Sequence, residues 1–155
     1  MKYLTSLYFH GRWWSITSWK AISFKNLFNT IPIPYDKNYD DAVRYFKENF
    51  SDQTDLVLIW NSAWVLPIIN ICYNFTDKIQ KVILLNPATW MMNINTIPES
   101  IKVKIYSWSN DYCKDIYMEW DKPNENIKII PIPWNHEFKW REDMINEIIK
   151  NELLI

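Results

Sequence analysis

Residues 56–67 read Leu56-Val57-Leu58-Ile59-Trp60-Asn61-Ser62-Ala63-Trp64-Val65-Leu66-Pro67, and the fold turns on them. Positions 56–59 form a short apolar run with β-branched members, the pattern of a strand covered on both faces in a parallel sheet. Beyond Ser62 the apolar positions Leu66, Ile69 and Tyr73 recur at helical spacing, which predicts a helix running to about residue 75. Where a strand turns directly into a helix, a serine at the turn has its hydroxyl pushed outward, beside the free N–H groups of the helix N-terminus. Ser62 holds that position.

Outward from this stretch, strands and helices alternate. Residues 2–9 read as a strand ending in His10-Gly11-Arg12-Trp13-Trp14-Ser15, and 18–28 as a helix. At 30–34 two prolines forbid helix and favour an extended piece. Residues 40–50 place Val43, Phe46 and Phe50 on one helical face, with Lys47 and Glu48 off it. Strands are predicted at 81–85, 101–106 and 127–132, and a closing helix at 141–154 with Met144, Ile145, Ile148 and Ile149 inward. This alternation predicts one α/β domain over residues 1–155, a doubly wound, mostly parallel sheet of about six strands. The segment 89–100 is too short to hold a cap domain.

Composition narrows the partners. A chain of 155 residues builds one buried core and is short for two. The net charge of −1 makes no electrostatic case for nucleic acid or an anionic membrane. Cys72 and Cys113 make no disulfide framework, and no Cys/His spacing suits a metal. No apolar run approaches the ~20 residues of a membrane span, and a chain that enters a strand at once leaves no room for a signal peptide. The expectation is a reduced, cytoplasmic protein acting on a small molecule without metal or organic cofactor; composition leaves the oligomeric state open.

In open α/β sheets, ligands sit outside the carboxyl ends of the strands. The loops expected there carry His10-Gly11-Arg12, Asn61-Ser62-Ala63, Asn110-Asp111 and Asn135-His136. Acyl transfer needs a hydroxyl nucleophile, a base of near-neutral pKa, and a carboxylate to hold that base in the right tautomer. Ser62, His136 and Asp111 are those three types, in the chain order Ser, Asp, His. Each also has a plainer reading: Ser62 as a helix N-cap, His136 as a structural histidine, Asp111 as a turn residue with Asp115 as rival. His10 reads as a brace for its loop and Cys72 as core. Cys113 follows a strand end with no elbow, which counts against a thiol nucleophile.

With those residues in place, the chain resembles the small, cap-less serine hydrolases of the α/β-hydrolase superfamily, including the YqiA-like esterases and the retinoblastoma-binding-protein serine hydrolases. The match runs through Tyr8-Phe9-His10-Gly11 with Ser15 and residues 18–21, then 56–64, 82–88, 106–111 and 133–138, nearly end to end from what is the third strand of the full fold. Residues 60–64 fall on the nucleophile elbow, G-x-S-x-G. The resemblance implies Ser62 as nucleophile, His136 as general base and Asp111 as its orienting acid. It also implies an oxyanion hole from the backbone N–H groups of Arg12 and Ala63, and a small ester or thioester as substrate. The alternative is a non-catalytic hydrolase-like binding protein whose tryptophans form an aromatic surface for a partner.

The departure from the pattern is systematic. Glycine normally makes up ≈ 7% of residues, about 11 in this length, yet the chain has one Gly and ten Trp. Tryptophan stands at 60, 64, 108 and 134, where the resemblance has or commonly has glycine, and at 13 and 14 in the oxyanion loop. A UGA codon is read as tryptophan in one variant genetic code and as glycine in another, so one wrong table makes this exchange and no other. Left-handed backbone at a non-glycine residue costs roughly 1–2 kcal/mol, and overpacking typically about 1–3 kcal/mol more. The chain written with tryptophan is therefore expected to fold poorly or lack activity.

Overall fold

The computed structural model describes residues 3–10, 16–35, 39–61, 66–85, 94–108, 123–132 and 138–155. The described residues include six strands, β1 (Ser6–Phe9), β2 (Ile31–Pro32), β3 (Leu56–Asn61), β4 (Ile79–Leu85), β5 (Lys102–Trp108) and β6 (Ile127–Ile132), and four α-helices. The helices are α1 (Trp19–Phe28), α2 (Tyr39–Phe50), α3 (Leu66–Asn74) and α4 (Phe138–Leu153). The strands form one sheet in the order β2-β1-β3-β4-β5-β6, and every neighbouring pair is parallel.

The period-2 alternation of side chains sorts the core into two layers. From β3, Leu56, Leu58 and Trp60 face one layer with Ala42, Phe46 and Phe50 of α2 and Ile68, Ile71 and Cys72 of α3. Val57 and Ile59 face the other, with Ala21, Phe24 and Phe28 of α1 and Ile145, Ile149 and Leu153 of α4. All six residues of β3 are buried, as a central strand covered on both faces requires. At ~1.5–3 kcal/mol for each large apolar side chain removed from water, these layers supply the main folding drive. The expected doubly wound parallel sheet is thus the observed one. One face is corrected: α3 turns Ile68, Ile71 and Cys72 inward, while Tyr73 is 73% exposed. Spacing alone misassigned it because isoleucines at 68, 69 and 71 make the helix apolar over more than one stripe.

The scarcity of glycine is met locally by Asn and Asp. The positive-φ residues among those described are Asn29 (φ 60°) and Asp55 (φ 59°), the residue types that tolerate left-handed backbone best after glycine. Asn29 ends α1, where the N–H of Thr30 reaches back to the carbonyl of Phe24 at 3.3 Å in a Schellman-type cap. At the other end the Ser18 side chain accepts from the N–H of Ala21 at 3.4 Å. Trp60 and Trp108 lie inside strands, and neither has positive φ. The left-handed cost expected for tryptophan therefore does not arise at these two positions; whatever tryptophan costs at 60 is a matter of packing.

A buried charge cluster fastens α4 to the sheet. The Glu152 carboxylate accepts from Lys104 Nζ at 2.6 Å, Tyr106 Oη at 2.6 Å and Lys81 Nζ at 3.1 Å, and Lys81 also donates to the Glu152 carbonyl at 2.8 Å. The chain start is held beside it by the Leu4 N–H on the Leu153 carbonyl at 2.9 Å. Burial opposes ionisation of Glu152, but hydrogen bonds from Lys104, Tyr106 and Lys81 and the charge of Lys81 outweigh it, so the carboxyl sits below its usual range. Burial, with the adjoining Glu152, pushes the Tyr106 phenol up, so it remains a neutral donor.

A folded-state pKa below the unfolded one means the unfolded chain holds more protons in the interval between them. The contribution is complete above the unfolded value of about 4.3 and disappears as pH falls through the folded value. Glu152→Gln is expected to destabilise the fold by about 2–4 kcal/mol near neutrality, less than a fully enclosed pair loses because both lysines reach water. It should also flatten the acid limb of stability. Denaturant titration from neutral to acid pH tests this; an unchanged acid limb counts against the cluster as its source.

Candidate active site

Because every strand is parallel, all six carboxyl ends lie on one edge of the sheet. From β1 the chain crosses to β2 on one side and then returns to β3 on the other. The carboxyl ends of β1 and β3 therefore border a topological switch point, the usual place for a ligand crevice in such sheets. Phe9 pairs with Trp60 across that boundary.

The described residues build the floor of this edge. His10, directly after β1, is buried and stacks on Tyr35 with ring centroids 4.2 Å apart and planes 7° apart. The Tyr35 hydroxyl donates to the His10 carbonyl oxygen. His10 itself is thus held at the end of β1, while the loop it was expected to brace lies outside the described residues. Tyr35 continues the stack to Trp60 at 6.2 Å, and Phe9 packs on Trp60 at 5.8 Å. Trp60 is fully buried in this aromatic layer and adds nothing to an outer aromatic surface. On the opposite face of β3's end, Asn61 is 8% exposed, and the Tyr8 ring stands edge-on to Phe24 at 5.3 Å. Tyr35 was not singled out from sequence, and Tyr8 and Asn61 entered only as members of longer stretches; the period-2 alternation of 6–9 could have shown that Tyr8 points opposite to Leu7 and Phe9.

Ser62, Asp111, His136, Arg12 and Ala63 lie outside the described residues, as do Asp115 and Cys113. What is described is the strand end that leads to each. Ser62 follows Asn61, the last residue of β3, and Arg12 comes three positions after β1. Asp111 comes three positions after β5, and His136 four after β6. At about 4.8 Å between neighbouring strands, β5 and β6 end roughly 10 and 14 Å from β3. Three and four extended residues span about 10 and 14 Å, so both loops are long enough to return to β3, with side-chain length to spare.

Cys72 is buried in the core, and burial pushes its thiol pKa up, which makes it an inert side chain. Among the described residues no group of three or more His, Cys, Asp or Glu could hold a metal, and no helix is long and apolar enough to cross a membrane. A cleft of about 860 Å³ beside Lys102, Lys104 and Lys128 lies at the amino ends of β5 and β6, across the sheet from the switch point. Glu99 and Glu125 share it, which offsets most of the lysine charge.

No protein-family profile and no curated protein matches this sequence. Solved structures do. A protein described as a YdeN-like hydrolase, from Pectobacterium atrosepticum, aligns over 98% of this chain and 94% of its own at 15% identity, with a TM-score of 0.64. Est1E from Butyrivibrio proteoclasticus aligns over 97% and 86% at 12% identity, with a TM-score of 0.67. S-formylglutathione hydrolase FrmB from Staphylococcus aureus aligns over 96% and 81% at 14% identity, with a TM-score of 0.58. The chain shares its α/β fold with these proteins, over 81–94% of their own length.

Proposed function

We propose that this protein is a serine hydrolase that cleaves a small carboxylic ester or thioester. The observation carrying the reading is the arrangement of strand ends: β1, β3, β5 and β6, which precede the candidate residues in the chain, all end on one edge of the sheet, and the ends of β1 and β3 border the switch point. The shared fold supports the same reading, since two of the similar structures are described as hydrolases. The resemblance to small cap-less esterases narrows it.

In this reading Ser62 Oγ attacks the acyl carbon while His136 takes its proton, and Asp111 holds the imidazole in the productive tautomer. The tetrahedral oxyanion rests on the N–H groups of Ala63 and Arg12. Collapse expels the alcohol or thiol, which takes the proton back from His136, and leaves the acyl group on Ser62. Water, deprotonated by His136, then releases the acid and regenerates the serine. Three side chains and two backbone donors suffice for this sequence, with no metal or organic cofactor. A fluorophosphonate probe tests it. Labelling that disappears in Ser62→Ala is the expected result; a correctly folded chain that never labels, even with glycine at 13, 14, 60, 64, 108 and 134, overturns the reading.

Substrate size follows from the connection after β4. Between Leu85 and Lys102 the chain is too short for a cap, so the groove is expected to be shallow and open. Short acyl esters should be cleaved faster than long ones. A KM that falls steadily with acyl length in a p-nitrophenyl ester series points instead to an acyl tunnel.

A further inference from the structure

The tetrapeptide Ile-Pro-Ile-Pro occurs twice in this chain, at 31–34 and at 130–133, and takes four of its eight prolines. The first copy starts with β2 and the second closes β6, the two outermost strands of the sheet. A strand at a sheet edge presents unpaired N–H and C=O groups on which another strand can dock. Along a strand these groups turn alternately to one neighbour and to the other. On β2, Tyr8 lies opposite Pro32 and the Ile33 N–H donates to the Tyr8 carbonyl at 2.9 Å, so Ile31 and Ile33 turn to β1 while Thr30 and Pro32 turn outward. The Thr30 N–H is spent on the Phe24 carbonyl at 3.3 Å, and Pro32 has none. Two positions further on stands Pro34.

The opposite edge repeats the device. Val103 lies opposite Ile127 and its N–H donates to the Asn126 carbonyl at 2.9 Å, so Asn126, Lys128 and Ile130 turn to β5 while Ile127, Ile129 and Pro131 turn outward. The Ile127 N–H is spent on the Asn124 carbonyl at 2.9 Å, and Pro131 has none. Ile129 is left as the one outward donor among the described residues of both edge strands. Between the prolines, Ile33 and Ile132 are buried, so each copy fills the core with isoleucine while it closes the edge with proline. Pro133 lies outside the described residues.

We infer that Ile-Pro-Ile-Pro is an edge-closing element, used once on each side, that prevents a second copy of this chain from extending the sheet. A docking strand finds no donor on β2 and a single one on β6, and meets a pyrrolidine ring where the next N–H should be. Partners must therefore use the helical faces or the loops. The inference goes beyond the hydrolase reading and involves no residue of the proposed triad.

The test is Pro131→Val in the full chain, in whichever form, tryptophan or glycine, melts cooperatively. Pro131 is exposed, so the change removes no core side chain and gives β6 two successive outward donors, at 129 and 131. A two-fold pairing of such edges gains two hydrogen bonds, so self-association measured by sedimentation equilibrium should rise roughly ten- to a hundredfold over the parent. Amide exchange at Ile129 should slow as the variant is concentrated. Pro131→Lys restores the same N–H but adds a charge at the edge, and should associate no more than the parent. A valine variant that associates no more than the parent overturns the inference. Equal association of the lysine variant overturns it too, since loosened folding is then the cause. So does association without slower exchange at Ile129, which puts the contact elsewhere, and so does a parent that already pairs through β6.

Discussion

Ser62→Ala in the active form is expected to lower kcat for p-nitrophenyl acetate by on the order of 10⁴–10⁶. The residual rate would come from the oxyanion donors and substrate binding, which survive the change. His136→Ala should cost about as much, and the double variant no more than either, because the two groups act as a unit and losing one disables both. Asp111→Asn should cost roughly 10⁴, since an asparagine there favours the wrong imidazole tautomer. Asp115→Asn serves as the internal control and should leave kcat within a few-fold. If Asp115→Asn gives the large loss instead, the acid has been assigned to the wrong carboxylate while the hydrolase reading stands. If neither Ser62→Ala nor His136→Ala lowers kcat by a factor of ten, the triad is wrong.

Replacing tryptophan by glycine at 13, 14, 60, 64, 108 and 134 together is expected to raise the rate of Ser62 labelling at least a hundredfold over the tryptophan chain. Loss of one oxyanion donor alone costs about 10²–10³, and two of these positions flank the Asn61-Ser62-Ala63 core of the elbow. The structure sharpens the stakes at position 60. Trp60 is fully buried between Phe9 and Tyr35, so deleting its side chain either lets the neighbouring elements close in or leaves a void. A void from a deleted core aromatic costs about 3–5 kcal/mol. The six-site variant is expected to melt at or above the tryptophan chain and to label. If it melts far lower and stays unlabelled, tryptophan is the native residue at 60. The intact mass of the protein from its own host settles the origin independently: ten retained indole side chains refute the recoding.

Much of the fold was legible in the chain because its signals are local. The four-residue apolar run at 56–59 and the alternation at 101–106 declare their period over a few residues, and both became strands of the sheet. The helix at 141–154 shows the same legibility, with Ile145 and Ile149 buried as expected. Boundaries were less legible: β5 continues through Ser107 to Trp108, where the sequence suggested the turn had begun, because pairing of Ser107 and Trp108 with Pro131 and Ile132 extends the ladder. The inward face of α3 was misread because its isoleucines offer more than one apolar stripe, and only the position of the sheet selects among them.

The candidate site divides in the same way. Sequence alone determined which residue types are available and in what order, Ser62, Asp111 and His136, together with the loops that hold them, since identity and order along the chain are properties of the chain. It also determined the glycine deficit and hence the question posed by the tryptophans. Tertiary structure decided that β1 and β3 are neighbours although α1, β2 and α2 separate them in sequence, because a parallel strand can be placed on either side of the first and pairing energy depends on the finished sheet. It decided that Trp60 is a core residue in extended backbone rather than a strained turn. It also set Tyr8 against Phe24 and Tyr35 against Trp60, since side chains far apart in the chain meet only once the sheet and its helices have closed on each other.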